Sequence, residues 1–81
     1  MVRIIPSNEF KKQIKHLDSQ NRTKLENQIR KIINNPNVGK PLKYSRGERL
    51  LYIKPFRLIY VMRGKELLLL KFEHRKSVYK N

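Results

Sequence analysis

The chain has 81 residues, twenty Lys and Arg against six Asp and Glu, a formal charge of +14, and neither cysteine nor tryptophan. A chain of this length is one domain, here residues 1–81, whose small core buries only roughly 60% of the surface exposed on unfolding. The missing cysteines exclude a disulfide framework and any thiolate-held metal, which fits a reducing, cytoplasmic setting.

Val2–Ile5 is short, β-branched and closed by Pro6, which predicts an opening strand. Ser7 can cap a helix whose Phe10, Ile14 and Leu17 recur at i, i+4 and i+7, with Lys11, Lys12 and Lys15 on the wet side. Asp18 or Ser19 can cap a second helix with an apolar stripe of Leu25, Ile29, Ile32 and Ile33, stopped at Asn34-Asn35-Pro36. So short a connection makes the two an antiparallel hairpin.

Residues 37–47 read as a polar, basic loop. Arg49–Ile53 and Arg57–Met62 then flank the Lys54-Pro55-Phe56 turn, and Arg63-Gly64-Lys65 leads into a third strand, Glu66–Phe72. The tail from His74 onward is compatible with a helical turn or with extended chain. This order predicts an α+β, two-layer domain: an N-terminal strand, a helical hairpin, then a three-stranded antiparallel meander completing a four-stranded sheet. Strict alternation puts Leu51, Ile53, Leu58, Tyr60, Leu67 and Leu69 on one face. Tyr52, Lys54, Arg57, Ile59, Val61, Leu68, Leu70 and Phe72 fall on the other, unless a bulge at Pro55 shifts the phase.

The basic residues are spread along the chain, nine in residues 1–40 and eleven in 41–81, so the folded body itself is cationic. Such a surplus costs the compact state through self-repulsion, and its usual use is to bind a polyanion. No run approaches the roughly 20 apolar residues of a spanning helix, so no membrane association is expected. His16 and His74 lack companions at ligand spacing, no glycine pattern cradles a phosphate, and the carboxylates are too scattered to pair. Neither metal nor cofactor is expected.

What remains is cationic and aromatic: Lys40, Lys43, Tyr44, Arg46, Arg49, Tyr52, Lys54, Arg57, His74, Arg75, Lys76 and Tyr79. Guanidinium groups suit phosphate, and rings suit unstacked bases of single-stranded RNA. The same set could serve RNA cleavage, which needs a base at the 2′-hydroxyl, cations for the phosphorane charge and an acid for the leaving 5′-oxygen. Arg57 and Arg75 would be the cations, and His74, Tyr79 or a lysine of depressed pKa the proton carriers. The plainer readings are a solvated strand end for Arg57, an ordinary histidine for His74 and a tail pin for Tyr79.

Residues 51–60, Leu-Tyr-Ile-Lys-Pro-Phe-Arg-Leu-Ile-Tyr, resemble the RelE/ParE-superfamily segment in which an aromatic-Arg-aliphatic-aliphatic-Tyr run opens the central strand. His74-Arg75-Lys76-Ser77-Val78-Tyr79 is similar to that family's His-Arg-x-x-x-Tyr ending, and the opening strand and helices fall in its order. The resemblance implies a type II toxin held by an acidic cognate antitoxin. RelE-like members cleave mRNA at the ribosome without metal, and ParE-like members poison DNA gyrase. By position, Arg57 matches the arginine at the scissile phosphate, Arg75 or His74 the C-terminal basic group, and Tyr79 the terminal aromatic. In one respect the chain departs from the pattern. RelE-like nucleases often carry two alternating basic residues on the strand before that arginine. Here Leu50 and Tyr52 hold those places, leaving Lys54 as the basic residue near the turn. Three functions therefore stay open: an mRNA endoribonuclease, a gyrase inhibitor, and a nucleic-acid-binding relative without cleavage.

Overall fold

A computed structural model describes residues 1–43 and 46–78. The first strand, β1 (Arg3–Pro6), leads into α1 (Asn8–Ile14) and α2 (Ser19–Asn34). After the helices come β2 (Lys40–Pro41), β3 (Glu48–Ile53), β4 (Phe56–Arg63), β5 (Glu66–His74) and α3 (Arg75–Val78). The sheet order is β1-β5-β4-β3-β2, with β1 parallel to β5 and the other pairs antiparallel. Among the described residues the sheet thus has five strands, not four. The difference is β2, a two-residue edge in the expected loop, paired through Lys40 with Leu50 and Pro41 with Arg49.

Ser7 starts α1 as expected, its Oγ accepting the Phe10 N–H at 3.0 Å while donating to the Leu70 carbonyl at 2.8 Å. Gln13 Oε1 then accepts the Phe72 N–H. These bonds satisfy the part of β5 that runs beyond the end of β1, so α1 covers what would otherwise be an open sheet edge. The turn between the helices is closed by Arg22, whose Nη2 donates to the Ile14 carbonyl at 2.9 Å. At the start of α2, Asn21 Nδ2 donates to Asp18 Oδ1 at 2.7 Å, and that bond holds the Asp18 carboxyl below its usual range.

The core lies between helices and sheet: Phe10, Leu25 and Ile32 meet Ile53, Leu58, Tyr60, Leu67, Leu69 and Phe72. Tyr60 is wholly buried, and its phenol is paired as burial requires, donating to the Pro36 carbonyl at 2.8 Å and accepting the Gly39 N–H at 3.0 Å. Gly39 admits this approach because it has no side chain. A Cβ there would stand 2.8 Å from the Leu50 carbonyl oxygen and 2.9 Å from the Tyr60 hydroxyl.

The expected alternation holds through β3 and β4 and fails in β5. Ile59 pairs with Lys71 but Tyr60 with Leu69, so Leu70 is one extra residue in β5. A bulge reverses the facing of everything after it. Phe72, expected on the open face, therefore turns inward and meets Phe10 edge-on with ring centroids 6.2 Å apart. The face away from the helices is not wholly open either, since Leu50, Ile59 and Val61 are buried on it. No helix of the described residues is long and apolar enough to cross a membrane.

Candidate functional site

At one end of the face away from the helices, three neighbouring strands place one residue each in a row. Register pairs Tyr52 of β3 with Arg57 of β4, and Arg57 with Glu73 of β5. A shallow pocket opens beside this row, lined by Tyr52, Lys54, Pro55, Phe56, Arg57 and Arg75. Tyr52 is exposed and offers its ring to solvent, while Arg57 lies in the floor with its side chain 22% exposed. Lys54 sits in the turn between β3 and β4. Arg75 reaches the pocket because its backbone N–H donates to the Pro55 carbonyl at 2.8 Å, clipping the start of α3 to that turn.

Arg57 is held from the side. Its Nη2 lies 3.5 Å from Glu73 Oε2, while Glu73 Oε1 is 4.0 Å from Lys71 Nζ. Among the described residues, the Arg57 Nε is buried without a hydrogen-bond partner. The described residues thus leave Arg57 incompletely satisfied, with donors a phosphate could engage once the side chain adjusts.

The other candidate residues are more dispersed. His74 is turned to the helix side by the Leu70 bulge, where it meets Phe56 edge-on at 5.3 Å, and Phe56 in turn stacks on Phe72 at 4.6 Å. Its Nδ1 accepts the Lys76 N–H at 3.1 Å, capping the short α3. Arg49 also faces the helices. Its Nη1 donates to the carbonyls of Gly39 at 2.7 Å and Asn37 at 3.3 Å, bracing the chain between α2 and β2.

Lys40 lies opposite Leu50, two residues or about 7 Å along the strand from Tyr52. Lys43 and Arg46 are exposed near the Glu48 end of β3, four residues or about 13 Å along the strand from Tyr52. They extend the positive field without joining the pocket. Lys76 is exposed in α3. Tyr44 and Tyr79 lie outside the described residues.

Glu73 is the site residue that sequence reasoning missed. By alternation it shares a face with Leu67 and Leu69, under the helices. Only the extra Leu70 brings it beside Arg57. No local motif announces that bulge within the run of four leucines, residues 67–70.

The family model of the ParE toxin of type II toxin–antitoxin system, parDE, matches residues 4–79. The chain belongs to that family, within the RelE/ParE superfamily. No curated protein matches the toxin. Among solved structures, a chain of the intact E. coli RelBE toxin–antitoxin complex superposes with a TM-score of 0.79 at 15% identity, over 91% of this chain and 96% of that one. The RelB–RelE antitoxin–toxin complex from Methanococcus jannaschii gives 0.77 at 20% identity, over 93% and 94%. YafQ from E. coli gives 0.72 at 24% identity, over 98% and 99%. At these identities the likeness shows that the toxin shares their fold, including a sheet with helices on one side.

Proposed function

We propose that this toxin is a metal-independent endoribonuclease that cleaves mRNA at the ribosome, in the cytoplasm, and so stops translation. The supporting observation is the convergence of Arg57, Arg75 and Lys54 beside the exposed ring of Tyr52 in one shallow pocket. In this reading a base of the strand stacks on Tyr52, and the next phosphate lies against Arg57. The 2′-hydroxyl releases its proton to solvent as its oxygen attacks phosphorus, and the P–O5′ bond breaks with the leaving 5′-oxygen taking a proton from solvent. The charge building on the equatorial oxygens meets the two guanidinium groups and the Lys54 ammonium. Tyr79 keeps the stacking or proton-transfer role that the resemblance gives it. His74, facing the other way and bonded to α3, holds Arg75 in place rather than moving a proton.

The acidic antitoxin partner is part of the same reading. A body at +14 favours an acidic segment that folds on binding. A groove between β1 and α2, lined by Ile4, Ile29 and Ile33 together with Glu26 and Arg30, offers a seat for the apolar face of such a segment. Two of the structural neighbours named above were solved as complexes with their antitoxins.

The matched family model is described as that of ParE toxins, and this favours gyrase as the second reading. Inducing the toxin and mapping cellular mRNA ends by primer extension, with a gyrase supercoiling assay alongside, separates the two. Discrete mRNA cleavage with unaffected supercoiling is expected. Intact mRNA with inhibited supercoiling would replace the ribonuclease with the gyrase reading. Salt-sensitive RNA binding without either activity would leave a binding module.

A further inference from the structure

We infer that Glu73 is a positioning residue for the proposed cleavage, acting through Arg57. The inference rests on the ribonuclease reading and extends it to a residue that neither the motif nor the resemblance marks.

Glu73 flanks Arg57 without lining the pocket: Tyr52, Arg57 and Glu73 follow one another across β3, β4 and β5, and the pocket is lined by Tyr52, Lys54, Arg57 and Arg75. A guanidinium on a long, flexible stem has many rotamers, and a catalytic one must be held in few. One end of Arg57 is anchored by the 3.5 Å contact of Nη2 with Glu73 Oε2. The anchor is itself steadied, because Lys71 Nζ lies 4.0 Å from the other oxygen of Glu73. Side chains of Arg57 and Glu73 are equally sheltered, each 22% exposed, so the pair is less screened than a surface ion pair.

The placement also has a cost that a merely structural ion pair would not explain. Of six acidic residues in the chain, Glu73 is the one beside the pocket cations, and its charge opposes the approach of a phosphate. A chain with a net charge of +14 that still carries a carboxylate here keeps it where orientation of Arg57 outweighs attraction. Removing that carboxylate should therefore separate two quantities that normally fall together. Binding of RNA holds or tightens, because a repulsive charge has gone, while turnover drops, because Arg57 is no longer held for the transition state. A misplacement of about 1 Å at the reacting centre can cost on the order of 100-fold in rate.

The test compares the full-length wild-type toxin with Glu73→Ala, Glu73→Gln and a control, Glu66→Gln. The control removes the same charge from the same strand, at an exposed pair with Arg3 at 3.6 Å, far from Arg57. Single-turnover cleavage and equilibrium binding are measured on one fluorescent single-stranded RNA, with programmed ribosomes added in a parallel series, and melting temperature is recorded for each protein. Glu73→Ala is expected to lose roughly 10- to 100-fold in cleavage rate with unchanged or tighter RNA binding, Glu73→Gln to recover most of that loss by keeping an acceptor for Nη2, and Glu66→Gln to match wild type. A Glu73→Ala protein that cleaves as fast as wild type, or faster, overturns the assignment. So does one whose rate and RNA affinity fall in proportion to a lost melting transition. Wild type that cleaves no RNA in either series overturns the ribonuclease reading itself, and the role of Glu73 with it.

Discussion

Replacing Arg57 by alanine is the sharpest test of the pocket, because its effects on stability and on chemistry should differ widely in size. The stability effect is small. Arg57 gives up one 3.5 Å ion pair to Glu73, which keeps its 4.0 Å contact with Lys71, and the buried Nε, unpartnered among the described residues, disappears with the side chain. Partly screened pairs of this kind contribute about 1 kcal/mol or less, which for a domain of this size shifts the melting temperature by about 4–8 °C at most. The catalytic effect is large. Losing one preorganised donor to a developing oxyanion costs about 3–4 kcal/mol, or roughly 100- to 1,000-fold in rate. Single-turnover cleavage of a labelled RNA, paired with thermal melting by circular dichroism, reads both. Arg57→Lys should restore little, since an ammonium cannot reproduce the guanidinium fork. Activity of Arg57→Ala within threefold of wild type, or lost only in step with its folded fraction, would refute the assignment of Arg57 to the phosphate.

Other consequences can be checked on the same preparations. Tyr52→Ala should weaken RNA binding by about 1–3 kcal/mol per stacked base, whereas Tyr52→Phe should bind like wild type; equal loss in both would point to the hydroxyl instead. Tyr60→Phe should destabilise by about 1–3 kcal/mol because the Pro36 carbonyl and Gly39 N–H lose their buried partner, and denaturant unfolding with an unchanged m-value would show it. Gly39→Ala should destabilise too, since its Cβ meets the Leu50 carbonyl oxygen at 2.8 Å; a wild-type midpoint would mean that the backbone yields. Ile29→Lys in the groove between β1 and α2 should lower antitoxin affinity at least tenfold while leaving RNA cleavage by the free toxin intact, measured by titration calorimetry and the cleavage assay.

Much of this protein is legible in its sequence. The periods of the apolar residues set two helices and a meander, and Ser7, Pro36 and Pro55 punctuate them, because capping and proline effects act over a few residues. The cationic character of the whole body, and Arg57, Tyr52, Lys54 and Arg75 as candidates, could also be read from residue chemistry and from the RelE/ParE resemblance. The two-residue β2 could not, since two pairing residues leave no period to detect.

Tertiary structure decided the composition of the pocket. One extra residue at Leu70 turns His74 and Phe72 toward the helices and Glu73 toward Arg57, exchanging an imidazole for a carboxylate beside the guanidinium. Arg49, chemically indistinguishable from Arg57 in the sequence, is bonded to the carbonyls of residues 37 and 39, whose position depends on how the chain leaves α2. Local sequence determines what each segment can form and which charges it carries. Strand register, which is set by how distant segments pack together, determines which of those charges share a face.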